Sequence, residues 1–143
     1  MPVYRCSLPE GRLSADQKQQ IASEITEIHC ALTNGTPRKF VHVVFDEARP
    51  GATFAGGEPS TASKIVGLIR AGRTQETRSE LVRRLTDMWA SVTGQDKAEI
   101  LVAVHEVRPQ DVMEWGELLP EDGQEASWVA EHDLGRFGVD ATR

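Results

Sequence analysis

The second residue of the chain, Pro2, has the chemistry of a catalytic amine if Met1 is removed. Methionine aminopeptidases cleave before small residues, so we expect Pro2 to become the N-terminal residue with a free secondary amine. The pKa of an ordinary α-amino group is about 7.7–8.0, and burial or a nearby cation lowers it. Such an amine can act as a base near neutral pH. The alternative is a proline that is merely tolerated at this position.

Two arginines form a candidate carboxylate site. Arg70 and Arg73 lie in the sequence Ile-Arg-Ala-Gly-Arg, just before a segment that is predicted to begin a helix near Thr74. A carboxylate bound there would meet two guanidinium groups and the positive end of a helix. The same cations would lower the pKa of the Pro2 amine if the fold brings them close to it. The alternative is a pair of solvated surface arginines.

His29 and Glu114 are two further polar candidates. His29 follows Ile28 at the edge of an apolar helix stripe, where a packed structural histidine is the simpler interpretation. Glu114 lies in the segment 109–117, which begins with a proline and is predicted to be a short helix. The simpler interpretation of Glu114 is a solvated glutamate.

Motifs for other chemistries are missing from the sequence. The four histidines lack the spacing of metal ligands, and the glycine pair at 56–57 does not lead into a helix as a phosphate loop would. No serine or cysteine stands in a recognisable nucleophile motif. We therefore expect neither a metal nor a cofactor.

The chain contains an internal repeat that predicts the elements around these residues. Segments 14–34 and 74–94 share one apolar pattern at an offset of 60 residues. The spacing i, i+4, i+7, i+11 is typical of an amphipathic helix. Ser14 and Thr74 are predicted N-caps, and Asn34 and Gly94 are predicted C-terminal stops. The matching positions are Ile21 with Leu81, Ile25 with Leu85, Ile28 with Met88 and Leu32 with Val92.

Each predicted helix is flanked by two β-rich runs, at 3–8 and 40–45 in the first half and at 64–69 and 100–105 in the second. Each half is thus predicted to be a β-α-β unit with parallel strands. The two units would form a four-stranded sheet with two helices on one face, an α/β (α+β) fold. The other face of the sheet would be bare and apolar, so we expect a homo-oligomer.

We interpret the chain as one domain, 1–143, in three parts. Residues 1–60 hold the first unit and a linker at 49–60 that is rich in Gly and Pro and is predicted to be a loop. Residues 61–120 hold the second unit and the short helix. Residues 121–143 are an acidic tail of irregular structure, in which Trp128 and Phe137 are candidate anchors.

The composition excludes several classes of protein. The net charge of −6 argues against nucleic acid as the main partner, because phosphate binding needs a basic face. No apolar run approaches the roughly 20 residues of a membrane span, and no signal peptide is visible. Cys6 and Cys30 are far apart and are expected to be reduced thiols. We therefore expect a cytoplasmic protein without a membrane partner.

These features together resemble the tautomerase superfamily, and within it the cis-3-chloroacrylic acid dehalogenase group. The resemblance covers roughly residues 2–120, and the order and spacing of the motifs make it specific. The motifs are Pro-Val-Tyr at 2–4, Gly-Arg-Leu-Ser at 11–14, Ile-Thr-Glu-Ile-His at 25–29, Phe-Ala-Gly-Gly at 54–57, Arg-Ala-Gly-Arg at 70–73, Glu-Trp-Gly at 114–116 and Leu-Leu-Pro at 118–120.

The resemblance implies a fold and a set of roles. Members are fused pairs of β-α-β units that assemble as trimers. By the resemblance, Pro2 is the catalytic proline, Arg70 and Arg73 bind the substrate carboxylate, and His29 helps to bind and polarise the substrate. Glu114 matches the carboxylate that activates water in the dehalogenase. The implied partner is a small-molecule carboxylate.

One departure from the family pattern decides the order of the functional hypotheses. The dehalogenase has a tyrosine on the last core strand that helps to position water, and the matching residue here is Ala103. His105 lies two residues further along the same strand face and is a possible substitute. We therefore expect first a tautomerase, an isomerase acting on small unsaturated 2-hydroxy or 2-oxo carboxylates through Pro2. Weak dehalogenation or hydration of cis-3-haloacrylates comes second, before a non-catalytic binding module or a structural trimer on the same fold.

Overall fold

The first half of the chain folds as a strand, a helix and a second strand. A computed structural model describes residues 1–33 and 35–141. Helix α1 begins after a capping box, in which Ser14 and Gln17 exchange side-chain and backbone hydrogen bonds as predicted. The elements are β1 (Val3–Pro9), α1 (Ala15–Leu32) and β2 (His42–Ala48).

The second half repeats this order after the linker. Thr74 caps the second helix, which ends at Gly94 in the left-handed region, with φ 72°, as the sequence predicts. The other predicted stop, Asn34, lies outside the described residues. The linker is not only a loop, because it contains a two-residue hairpin of β3 (Phe54–Ala55) and β4 (Glu58–Pro59). It is followed by β5 (Ser63–Arg70), α2 (Gln75–Thr93) and β6 (Ile100–Val107).

The four long strands form one sheet in the order β2-β1-β5-β6. Strands β1 and β2 are parallel, as are β5 and β6, so each half is a β-α-β unit as predicted. The two units meet through β1 and β5, which are antiparallel, with Val3 opposite Leu68. This register places the start of β1 beside the end of β5. The N-terminus therefore lies next to Arg70.

Both helices cover one face of the sheet and bury the repeated apolar stripes. Ile21 and Ile25 of α1 and Leu81 and Leu85 of α2 are fully buried. Burying one such side chain stabilises the fold by about 1.5–3 kcal/mol. From the sheet, these helices cover alternate residues of β1 and β5, namely Tyr4, Cys6, Leu8, Ile65 and Ile69.

The opposite face of the sheet is open in the single chain, as the sequence predicts. Val44 of β2, Leu68 of β5 and Leu101 of β6 are 41%, 39% and 51% exposed. These three apolar side chains alternate with residues that face the helices. None of the helices in the described part of the chain is long and apolar enough to cross a membrane.

The predicted short helix at 109–117 is wrong. A 3-10 turn at Pro109–Asp111 is followed by a hairpin of β7 (Met113–Glu114) and β8 (Glu117–Leu118). The two residues between these strands, Trp115 and Gly116, both have positive φ, at 59° and 84°. Two left-handed residues in succession are typical of a tight hairpin turn and are incompatible with a helix.

The tail is more ordered than the sequence predicts. It contains α3 (Glu125–Glu131) and a 3-10 turn at Leu134–Phe137. Trp128 is buried as an anchor, whereas Phe137 is 46% exposed and stacks on Trp115 with 5.8 Å between ring centroids. The tail cluster comprises the buried apolar residues Met1, Phe40, Leu119, Trp128, Val129, Leu134 and Val139. It covers the end of the sheet where β1 begins.

Candidate active site

The N-terminus is buried at this end of the sheet. The Met1 amine forms an ion pair with a carboxylate oxygen of Glu114, and the Met1 side chain packs in the tail cluster. Pro2 is buried, and its carbonyl accepts a hydrogen bond of 3.0 Å from the backbone N–H of His42. Burial lowers the pKa of the amine below its ordinary value of 8.0. Glu114 opposes this shift, and Arg70 adds to it.

Glu114 is held between two nitrogens. Oε2 faces the N-terminal amine, and Oε1 lies 2.5 Å from Nε2 of His42. Glu114 reaches this position because the hairpin of β7 and β8 brings it across β2 to the open face of the sheet. Sequence reasoning missed His42, since its placement depends on the parallel register that sets it opposite Val3.

Arg70 ends β5 and is buried. Its Nη1 donates a hydrogen bond of 3.1 Å to the carbonyl of Pro120, and its Nη2 forms an ion pair with Glu125 of α3. Arg70 lies beside the N-terminus, as the sequence predicts, and its positive charge lowers the pKa of the Met1 amine. Its counter-ion, Glu125, was not predicted.

Arg73 lies just before α2, is half-buried as a residue, and has a side chain that is 7% exposed. Its Nη1 donates to Asp122 at 2.6 Å, and its Nη2 donates to the hydroxyl of Thr36 at 3.4 Å. Within residues 1–33 and 35–141, the Nε atoms of Arg70 and Arg73 are buried without a hydrogen-bond partner. Neither residue is the solvated surface arginine of the simpler interpretation, and each has one buried N–H free to donate.

His29 faces the sheet from α1 and is almost completely buried. Its Nδ1 lies 2.8 Å from the hydroxyl of Tyr4, which is also buried. Burial, then Arg73, the N-terminal amine and Arg70, lower the pKa of His29 to about 3. The imidazole is therefore neutral at pH 7, and it acts as a hydrogen-bonding group rather than as an acid. Tyr4 was not singled out from the sequence.

Basic and acidic groups face each other at this end of the sheet. Three basic groups, the Met1 amine, Arg70 and Arg73, face three carboxylates, those of Glu114, Asp122 and Glu125. The fold thus brings together the five side chains or amines predicted from the sequence, at Pro2, His29, Arg70, Arg73 and Glu114. Two of the three carboxylates come from the tail.

Ala103 and His105 lie apart from this group within one chain. Ala103 is paired with Val66, four residues before Arg70, which is about 13 Å along the strand. His105 is paired with Leu68 and is exposed on the open face. No contact of His105 with the other predicted residues is present among the described residues, so its role as a substitute for the family tyrosine stays a prediction.

A cavity of about 360 Å³ opens beside the N-terminus on the uncovered face of the sheet. Its walls are mostly apolar, with His42 and Glu114 as polar members, and Met1 forms one side. No cluster of three or more His, Cys, Asp or Glu side chains suited to a metal ion occurs in the described part of the chain. The available chemistry is that of an amine, a carboxylate, two guanidiniums and a neutral imidazole.

Related sequences are about half as long as this chain. A protein of Streptococcus pneumoniae named "Probable tautomerase" is 39% identical over 61 residues, which are 43% of this chain and 98% of that protein. The "Probable tautomerase LL0574" of Lactococcus lactis is 40% identical over 58 residues, 41% of this chain and 92% of that protein. The matched lengths of 61 and 58 residues are close to the 60-residue offset of the internal repeat.

Solved structures share most of the fold. Native Ps01740 is 41% identical and has a TM-score of 0.76, over 78% of this chain and 99% of that one. N1, described as a member of the cis-3-chloroacrylic acid dehalogenase family, is 28% identical with a TM-score of 0.89, over 94% and 96% of the two chains. A fused 4-OT symmetric trimer shows the same fold at 16% identity, with a TM-score of 0.75 over 84% and 97% of the two chains.

A protein-family profile covers nearly the whole chain, including both β-α-β units, the hairpin of β7 and β8 and α3. The matched segment, residues 1–133, contains every member of the charged group around the N-terminus. The chain belongs to the family described as "Putative oxalocrotonate tautomerase enzyme".

Proposed function

We propose that this protein is a tautomerase that uses the amine of Pro2 to move a proton between oxygen and carbon of small unsaturated 2-hydroxy or 2-oxo carboxylates. The observation that carries the proposal is the environment of the N-terminal amine. The Met1 amine, one residue before Pro2, is buried and faces Glu114 and Arg70, and its pKa lies below the ordinary value. A neutral amine near pH 7 is the form that a general base requires.

Removal of Met1 would create both the base and room for a substrate. The amine would then belong to Pro2, whose Cα is about 3.8 Å further along β1. The Met1 side chain is buried against the apolar tail cluster and lines the cavity beside Glu114. Without Met1, that cavity extends to the amine, and its apolar wall suits the hydrocarbon part of an unsaturated acid.

The proposed reaction needs only proton transfers. Arg70 and Arg73 bind the substrate carboxylate, for which their unpartnered Nε–H groups are available donors. The neutral amine of Pro2 accepts the enol O–H proton, the O–H bond pair forms the carbonyl, and the former double bond takes a proton from the Pro2 ammonium at carbon. His29 is neutral and can stabilise the developing negative charge on oxygen by donating a hydrogen bond.

A hydratase or dehalogenase of cis-3-haloacrylates is the second candidate, favoured by one contact. Glu114 lies against the amine and acts to raise its pKa, which favours the ammonium that would protonate the α-carbon while Glu114 activates water. Burial outweighs this effect on the amine. Because Ala103 also lacks the hydroxyl of the family tyrosine, we rank tautomerisation first.

We propose that the protein works as a homotrimer in the cytoplasm. Its open sheet face exposes Val44, Leu68 and Leu101, and an apolar face of this kind is rare on a soluble monomer. Fused 4-OT neighbours with the same fold are trimers. Association through this face would also cover His42 and the cavity beside Glu114.

Ketonisation of phenylenolpyruvate tests the proposal. Pro2→Ala exchanges the secondary amine for a primary one, because Met1 is also removed before alanine, so kcat should fall, and by at most roughly 10²- to 10⁴-fold, the usual contribution of a general base. Pro9→Ala, at the other end of β1, is the matched control and should keep the wild-type rate. Equal rates for Pro2→Ala and wild type would remove Pro2 from the mechanism. The pH profile separates the two candidates, because a tautomerase gains activity as pH rises through the amine pKa and a hydratase loses it.

A further inference from the structure

The tail places a carboxylate of its own between the two arginines. Oδ1 of Asp122 lies 2.6 Å from Nη1 of Arg73 and 3.8 Å from Nη2 of Arg70. We propose that Asp122 is an internal competitor of the substrate: it occupies the position proposed for the substrate carboxylate and competes with it for Arg73. This inference shares one assumption with the proposed function, namely that Arg70 and Arg73 bind the carboxylate of a ligand.

The two tail carboxylates differ in how firmly they are held. Glu125 is buried on α3, one turn from Trp128 and Val129, which pack in the tail cluster. It cannot leave Arg70 without moving that helix. The Asp122 side chain is 38% exposed and lies in a turn closed by a hydrogen bond of 3.1 Å from Gln124 N–H to Glu121 O. Asp122 can therefore turn into solvent while Glu125 stays in place.

This difference assigns separate roles to the two arginines. Arg70 has its Nη1 on the Pro120 carbonyl and its Nη2 on Glu125, so it is fixed and its charge is already compensated. The partner of Arg73 is Asp122, whose partly exposed side chain can be replaced by another carboxylate. When Asp122 leaves, an incoming carboxylate can take over its contact with Nη1 of Arg73.

The unpartnered Nε atoms of the two arginines indicate that a ligand carboxylate can replace Asp122, because Asp122 does not satisfy every donor of the site. Asp122 makes its contacts with Nη atoms, and the buried Nε–H groups of Arg70 and Arg73 have no acceptor among the described residues. A buried donor without an acceptor is unfavourable. A ligand carboxylate that reaches either Nε–H gains a hydrogen bond that Asp122 does not make.

The competition should weaken the apparent affinity for any small carboxylate. The affinity is reduced by the fraction of molecules in which Asp122 has left Arg73. A partly exposed ion pair contributes up to about 1 kcal/mol. Removing the carboxylate of Asp122 should then tighten carboxylate binding by roughly 3- to 6-fold. The KM for an enol substrate should fall by a similar factor, with kcat little changed.

Calorimetric titration with 3-phenylpropanoate tests this inference. This acid has the carboxylate and ring of phenylenolpyruvate but neither the enol nor the double bond, so it binds without turnover. Asp122→Ala should bind it more tightly than wild type by the factor above. Glu121→Ala removes one carboxylate from the neighbouring exposed position and should leave the affinity within about twofold, since long-range charge effects are screened by salt. If Asp122→Ala does not fold, Asp122→Asn makes the same comparison.

Unchanged or weaker binding by the Asp122 variant would overturn the inference and leave the arginine site standing. An equal gain for Glu121→Ala would also overturn it, because the effect would then be one of net charge. Absence of binding to all variants would remove both the inference and the assignment of the arginines. Failure of the Pro2→Ala kinetic test would not affect this binding result, so the two proposals can fail separately.

Discussion

Glu125 of α3 and Arg70 of β5 form an ion pair in which each side chain is only 3% exposed, although 55 residues separate them in the sequence. The pair joins the tail to the strand that carries Arg70, a proposed carboxylate-binding residue. The tail is therefore part of the candidate site. Its contribution to stability and its contribution to the site are coupled through this contact.

Loss of Glu125 should destabilise the protein strongly. Glu125→Ala leaves Arg70 buried without its counter-ion, and removing one partner of a buried pair costs about 3–5 kcal/mol. Urea denaturation measures the change. Glu131→Ala, at an exposed position of the same helix, is the control and should change the free energy of unfolding by less than about 0.5 kcal/mol. A loss below about 1 kcal/mol for Glu125→Ala would show that the pair is not held as described.

His42 should act on the reaction through the orientation of Glu114. The Gln Nε2 of His42→Gln can occupy nearly the same place as Nε2 of histidine, so this variant should keep the hydrogen bond to Glu114. His42→Leu removes the donor and should lower kcat by roughly tenfold, the value of one hydrogen bond to a charged group. Steady-state kinetics of cis-3-haloacrylate dehalogenation, the candidate reaction in which Glu114 activates water, make the comparison. Equal loss in the Gln and Leu variants would contradict a role as hydrogen-bond donor.

His29 should make the protein sensitive to acid. Its pKa is about 3 in the folded state against an ordinary 6.5, so the unfolded chain binds a proton between these pH values that the folded chain does not bind. Above pH 6.5 the imidazole is neutral in both states, and the free energy of unfolding is not reduced. As pH falls from 6.5 toward 3, the free energy of unfolding decreases by about 1.4 kcal/mol per pH unit. Between pH 6.5 and 4, the unfolding free energy of wild type should fall more steeply than that of His29→Gln. Parallel curves would contradict a neutral buried imidazole.

Gly67 should be intolerant of a side chain. It lies opposite Tyr4 across β1 and β5, and a Cβ there would lie 2.5 Å from Cε1 of the tyrosine ring. Gly67→Ala would push the ring away from His29 at a cost of about 1–3 kcal/mol. Thermal unfolding measures this loss, and Gly135→Ala, where a Cβ has no neighbour within 4 Å, is the control. Wild-type stability of Gly67→Ala would show that Tyr4 has room to move.

The two long helices, α1 and α2, and the four long strands could be predicted because the same apolar pattern occurs in both halves of the chain. The same apolar spacing follows Ser14 in the first half and Thr74 in the second. The structure confirms that Ser14 and Thr74 cap the starts of α1 and α2 and that Gly94 ends α2. The antiparallel contact of β1 with β5 could not be predicted, because the order of strands between the two units is not encoded in either unit alone. The hairpin after Val112 was mistaken for a helix because the positive φ of Trp115 is not visible in its residue type.

The sequence predicted which residues lie together in the candidate site but not their partners, and the catalytic and binding roles of those residues stay predictions. Pro2, Arg70 and Arg73 are recognisable from local chemistry, and His29 and Glu114 gained their roles from the family resemblance. The partners are far away in the sequence: Glu114 is 72 residues from His42, and Arg73 is 49 residues from Asp122. Such pairs depend on strand register and on the docking of the tail, neither of which a local pattern contains.

The central claim is that a free amine at Pro2 performs the chemistry, and the intact mass of an enzymatically active preparation tests it most directly. We expect the mass of the sequence without one methionine residue, which means that Pro2 carries the N-terminal amine. Full ketonisation activity in a preparation that retains Met1 on every chain would contradict the account, because the nitrogen of Pro2 would then be an amide.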